Sequence, residues 1–113
     1  MWDKFIHALD EFEALLKENE GEEIHDFDAQ RICESVRVSF VAMVDCFAWH
    51  EETLHSHNEA IDRYIALMES SYELLLSSKA KDVSWYRQSF QPKIAMARKI
   101  KARRPASEVF SFD

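Results

Sequence analysis

Glycine is almost absent from this 113-residue sequence, which contains only Gly21, and proline occurs only at Pro92 and Pro105. The P-loop and the dinucleotide-binding turn both need several glycines, because the backbone must come close to a phosphate. Tight β-hairpins depend on glycine as well. The shortage therefore excludes both nucleotide-binding motifs and favours an all-α protein.

Cysteine is also scarce, and no apolar run is long enough to cross a membrane. Cys33 and Cys46 lie on one predicted helix, about 20 Å apart, which is beyond the reach of a disulfide. We therefore expect two reduced core thiols in a cytoplasmic protein. The longest apolar run, 38–49, is too short for a bilayer and contains Asp45. The N-terminus lacks the pattern of a signal peptide, so we expect no membrane association.

The same run belongs to the segment around which we expect the fold to form. Apolar residues recur there at helical steps of three, four or seven, at Ile32, Val36, Phe40, Met43, Phe47 and Leu54. Val41, Val44 and Ala48 widen this stripe until the helix is apolar almost all round. A helix of this kind has to be enclosed by others. The pattern predicts the central helix of a small bundle.

The rest of the chain predicts an all-α, compact, up-and-down four-helix bundle that forms a single domain, 1–113. The helices are expected at about 2–19, 28–54, 57–77 and 82–103, followed by a loose tail at 105–113. Gly21 stands where a left-handed helix C-cap is needed, and Pro92 predicts a kink or a restart in the basic C-terminal helix. One continuous rod over 28–78, dimerising along its length, is the alternative.

The net charge of −7 is unevenly distributed along the chain. Residues 1–28 carry ten acidic and two basic side chains, whereas residues 79–113 carry three acidic and nine basic ones. One interpretation places the last helix beside the first, so that the two blocks complement each other. The other is a pair of separate binding surfaces of opposite sign.

The acidic front of the chain supplies our candidate site. We expect a non-enzymatic protein that binds and modulates a partner protein, as an adaptor, inhibitor, immunity-type or chaperone-type module. An acidic face would attract the basic surface of the partner, and Trp2 or Trp85 would anchor it. This face comprises Asp10, Glu11, Glu13, Glu18, Glu22 and Glu23. The alternative is a DNA-mimic-like inhibitor of a nucleic-acid-binding protein.

A second cluster, formed by His50, Glu52, His55 and His57, is a candidate metal site. Zincins need two histidines four residues apart on one helix face. Here His50 and His55 are five apart, about 140° around the helix, so the motif fails. We interpret the cluster as a solvated helix end and expect no metal or cofactor. A metal-binding bundle remains a third functional alternative.

Nothing in the sequence defines a catalytic triad, so we expect no enzymatic activity. Asp45 is the one charge between Val38 and Trp49, and we expect it on a solvated strip of its helix or paired with Arg63 or Arg87. The basic C-terminal helix invites a nucleic-acid interpretation, but the acidic remainder would repel phosphates. Direct nucleic-acid binding is therefore not expected, while a homodimer is compatible with the sequence.

Overall fold

The structure, a computed structural model, describes residues 2–49, 55–76 and 84–102, apart from the side chains of residues 49, 55, 56 and 84–87. This part of the chain contains four helices and no strand: α1 (Trp2–Glu18), α2 (Asp26–Trp49), α3 (His55–Leu76) and α4 (Ser84–Lys101). The all-α, four-helix fold is confirmed. The predicted tail, 105–113, lies outside the described residues, and the up-and-down order stays a prediction.

The helices pack in two main pairs, α1 with α2 and α3 with α4, and α1 and α2 both contact α3. All four contribute fully buried side chains to one core, represented by Phe12, Phe47, Tyr64 and Ile100. A continuous helix over 26–76 would be about 75 Å long at the usual rise per residue. The largest dimension of the molecule is 41 Å, so the continuous-rod alternative is wrong.

The end of α1 and the start of α2 are determined by local interactions. Gly21 has a φ of 77°, which confirms the predicted left-handed cap. The buried side chain of Asn19 donates a hydrogen bond to the carbonyl of Leu15 at 2.9 Å and so satisfies a helix-terminal acceptor. At the start of α2, the Asp28 carboxylate accepts the backbone amide of His25 at 3.3 Å. This bond allows α2 to begin at Asp26, two residues earlier than predicted.

α2 is less enclosed than its sequence predicts. Its buried face includes Ile32, Met43 and Phe47, but Val38 and Val41 are 42% and 46% exposed. Asp45 is exposed on the same side, which agrees with the prediction that it lies on a solvated strip. The neighbouring helices cover only one side of α2. A helix with apolar residues all round is therefore left with an uncovered apolar face.

α4 continues through Pro92 without interruption, so the predicted restart does not occur and the kink stays a prediction. Its basic residues are paired with α3: Lys101 donates to Asp62 at 2.6 Å, and Arg98 lies 3.6 Å from Glu69. Lys101 and Arg98 therefore neutralise acids of α3. The expectation that the last helix neutralises the acids of the first helix is wrong for these two cations. Among the described residues, no helix has the length and apolar character needed to cross a membrane.

Candidate functional site: the groove between α1 and α3

The six predicted partner-binding acids do not share one face, and two of them are drawn toward α3. Arg63 of α3 donates from Nη2 to Oδ1 of Asp10 at 2.8 Å and to Oε2 of Glu13 at 2.7 Å. Glu13 also pairs with Lys17 at 3.1 Å. These contacts hold Asp10 and Glu13 in ion pairs within the chain. Neither carboxylate is left free to bind a basic partner without competition.

The other four lie elsewhere. Glu11 contacts His7 at 3.0 Å, Glu18 lies 3.7 Å from Arg31 of α2, and Glu23 contacts His25 at 3.1 Å. Glu22 is exposed in the connection that follows α1. Five of the six acids therefore face a cation or a histidine of the same chain. The ion pairs of Asp10, Glu13 and Glu18 lower the attraction that these three acids offer to another molecule.

A cavity of about 530 Å³ lies between α1 and α3. Its apolar lining comes from half-buried leucines, Leu16 of α1 with Leu67 and Leu74 of α3. Exposed glutamates stand on both walls, Glu20 in the turn just after α1 and Glu73 on α3. We refer to this feature as the α1/α3 groove. The remaining lining residues are Glu13, Lys17 and Ser70.

The groove follows from the spacing of residues on α3. Leu67 and Leu74 are two helical turns apart, and Ser70 lies between them on the same side of the helix. A serine is too short to fill the space that a leucine would occupy there, so a depression forms between the two leucines. Periodicity predicts the apolar face of this helix at Ile61, Tyr64, Ile65, Met68, Tyr72, Leu75 and Leu76. Leu67 and Leu74 lie beside this face rather than in it. Leucines beside such a face were the available signal for the groove.

The charged side chains that line the groove differ in whether they are already paired within the chain. The pKa of Glu13 is lowered by hydrogen bonds from Arg63 and then from Lys17, so this carboxylate stays ionised and engaged. Within the described part of the chain, Glu20 and Glu73 make no ion pair or side-chain hydrogen bond. The two cations of this region are thus occupied by Glu13, while the carboxylates of Glu20 and Glu73 are available.

The predicted aromatic anchor at Trp2 is wrong. Its indole is half-buried and stacks on the ring of His57, with centroids 4.0 Å apart, and its edge meets Phe5 at 5.6 Å. Trp2 therefore joins α1 to α3 instead of projecting toward a partner. The side chain of Trp85, the other proposed anchor, lies outside the described residues.

The histidine cluster is described only in part. His50 and Glu52 lie outside the described residues, as does the side chain of His55. Burial lowers the pKa of His57, whose imidazole lies against Trp2. Among the described residues, no group of three or more histidine, cysteine or acidic side chains is placed to hold a metal ion.

No family model, curated protein or solved structure matches the chain. The function must therefore be argued from the geometry of this molecule alone. An apolar groove with carboxylates on both walls is suited to an amphipathic helix of opposite charge, whose apolar face enters the groove while its basic residues meet the walls. The α1/α3 groove has both properties.

Proposed function

We propose that this protein is a non-catalytic binding protein that takes a basic amphipathic helix of a partner protein into the α1/α3 groove and thereby modulates that partner. The observation that carries the proposal is the combination of a leucine-lined floor with an available glutamate on each wall, Glu20 and Glu73. This differs from the acidic face expected from the sequence. Of that face, Glu13 lines the groove.

The apolar floor supports the proposal through its size and composition. A volume of about 530 Å³ is in the range of about 300–1,000 Å³ that is usual for ligand sites. It accommodates a few large apolar side chains, which is how an amphipathic helix anchors itself at positions three, four and seven residues apart. Leu16, Leu67 and Leu74 provide the apolar contact for such anchors.

The charge of the groove supports a basic occupant. Glu20 and Glu73 are exposed, so lysine or arginine side chains along the helix can reach them while remaining partly hydrated. Contacts of this kind contribute more to the rate of association and to the choice of partner than to affinity. They are also screened by salt, so binding should weaken as ionic strength rises.

A designed peptide that stands in for the partner's helix tests this function. The probe is a helical peptide of leucine and lysine with one apolar face, and a peptide of the same composition in scrambled order is its control. Binding is followed by amide chemical shifts of the labelled protein. We expect the largest shifts around Leu16, Leu67 and Leu74 with the amphipathic peptide and none with the scrambled one.

A matched pair of variants on α3 tests the charge. Glu73→Lys reverses the charge on the groove wall, whereas Glu59→Lys makes the same change on an exposed residue near the start of that helix. We expect Glu73→Lys to weaken peptide binding by about five-fold or more and Glu59→Lys to leave it within about two-fold. Equal effects, or shifts located outside the groove, would show that the proposal is wrong.

The contacts of the predicted acids also bear on the DNA-mimic alternative. The DNA-mimic alternative gains no support, because five of the six acids on which it depends face a cation or histidine of the chain.

The compartment that we propose is the cytoplasm, where Cys33 and Cys46, both free thiols, would stay reduced.

A further inference from the structure

The uncovered face of α2 carries an ordered set of side chains. Arg37, Val38, Val41, Asp45 and Ala48 are all exposed, and their spacing places them along one side of the helix. We call this set the α2 stripe. Val38, Val41 and Ala48 are exposed apolar residues on this face, and no element among the described residues covers them.

The charges of the α2 stripe are arranged symmetrically about Val41. Arg37 lies four residues before Val41 and Asp45 lies four residues after it, each about 6 Å away along the helix axis. The two charges have opposite sign. The pattern is therefore self-complementary under a two-fold rotation through Val41, because the rotation exchanges the position of the cation with that of the anion.

We propose that a second copy of this chain binds the α2 stripe, with the two α2 helices antiparallel and the two-fold axis at Val41. In this arrangement Val41 meets its counterpart at the axis. Arg37 of each copy reaches the level of Asp45 of the other, on both sides of the axis. Val38 and Ala48 extend the apolar contact away from the centre.

The contacts that Arg37 and Asp45 make within a single chain are compatible with the binding of a second copy. Among the described residues, Asp45 has no ion pair or side-chain hydrogen bond, so it is available to a second molecule. Arg37 donates from Nε to Oε2 of Glu34 at 3.1 Å and from Nη2 to Oε1 of Glu34 at 2.5 Å, and the remaining N–H groups of its guanidinium can meet a second carboxylate. A partner of a single charge sign would satisfy only one of the two residues, whereas a second copy satisfies both.

The expected interface is small, since one helix face contributes it. Interfaces below about 1,200 Å² are those of weak and transient complexes, so the dimer should dissociate at about micromolar to millimolar concentrations. The α1/α3 groove lies on other helices and makes no use of the stripe. The dimer therefore neither requires nor blocks the function proposed above, and each proposal fails independently of the other.

Sedimentation across a concentration series tests for the dimer, and a pair of aspartate variants locates it. Val41→Asp places two carboxylates against each other at the axis and should weaken dimerisation by about ten-fold or more. Leu76→Asp makes a like change at an exposed apolar residue of α3, 54% exposed, and should leave the dimer intact. Circular dichroism confirms that both variants stay folded.

A charge exchange tests the orientation. In Arg37→Asp each copy presents two carboxylates at these positions, and in Asp45→Arg each copy presents two guanidinium groups. Each variant alone should dimerise about ten-fold more weakly than the wild type, since both pairs across the axis become repulsive. An equimolar mixture should regain association, because every pair between unlike copies is then attractive.

Weaker dimerisation of each single variant together with recovery in the mixture supports antiparallel contact between Arg37 and Asp45. A monomeric wild type at concentrations up to about 1 mM overturns the proposal. The proposal is also overturned if Val41→Asp and Leu76→Asp weaken the dimer equally. It is overturned as well if Arg37→Asp and Asp45→Arg dimerise like the wild type. The peptide-binding experiment on the α1/α3 groove is unaffected by any of these results.

Discussion

At the scale of a single residue, Tyr64 is a side chain with a polar group that is buried without a hydrogen-bond partner. Its ring is fully buried and lies 6.0 Å from the ring of Phe5. Its hydroxyl oxygen has no hydrogen-bond partner among the described residues, and burial raises the pKa of the phenol. A buried polar group without a partner costs about 1–3 kcal/mol. Periodicity predicted that Tyr64 faces the core but gave no information about its hydroxyl.

Replacing this tyrosine by phenylalanine should therefore stabilise the protein. Tyr64→Phe removes the unpaired hydroxyl and keeps the ring, so we expect the free energy of unfolding in urea to rise by about 1 kcal/mol. Tyr72→Phe, at a half-buried tyrosine of the same helix, is the control and should change it by less than about 0.5 kcal/mol. A loss of stability in Tyr64→Phe would mean that the hydroxyl is hydrogen-bonded in solution.

At the scale of the element, the end of α1 depends on the conformation of one backbone position. Gly21 has a φ of 77°, and a Cβ added there would meet no atom within 4 Å. The cost of a side chain is therefore purely conformational. We expect Gly21→Ala to lower the free energy of unfolding by about 1 kcal/mol.

Asparagine provides the matched control for this position, because it tolerates the left-handed region better than alanine does. Gly21→Asn should cost less than Gly21→Ala when the two are compared by urea unfolding. If Gly21→Ala unfolds like the wild type, the chain does not hold this position in the left-handed region.

The helices that the sequence predicts well are those with local signals. Gly21 and Asp28 mark the end of α1 and the start of α2 through backbone conformation and a hydrogen bond within a few residues. The exposure of Val41 was not predictable in the same way, because it depends on how many neighbours cover α2. The sequence also did not predict the groove at Leu67 and Leu74, because the groove exists only if α1 and α3 lie far enough apart.

At the scale of the whole molecule, charge sums along the chain do not identify which helices pair. The acidic start and basic end suggested that α1 and α4 are neighbours, yet Lys101 and Arg98 of α4 contact acids of α3. Only seven residues separate the end of α3 from the start of α4, which favours contact between these two helices. Connectivity therefore outweighs the complementarity of distant charge blocks, which acts weakly across a screened distance.

Arg63 links the two helix pairs of the molecule, because it lies on α3 and binds Asp10 and Glu13 of α1. The pKa of Glu13 is held below its ordinary value of 4.5, chiefly by the hydrogen bond from Arg63. A carboxylate with a lowered pKa in the folded state stabilises the fold above its unfolded pKa, and this contribution disappears as the pH falls through the folded value. The link should therefore weaken in acid.

Arg63→Met tests this link, since methionine keeps part of the apolar stem and removes the charge. We expect the variant to be less stable than the wild type at neutral pH, and the difference between the two free energies of unfolding to shrink as the pH falls from about 4.5 to about 3. Arg63→Lys, which retains a positive charge, should lie between them. If the difference between the two free energies of unfolding stays constant over this pH range, Arg63 stabilises the fold through the packing of its apolar stem and not through its charge. The ion pairs with Asp10 and Glu13 would then contribute nothing to the stability of the fold.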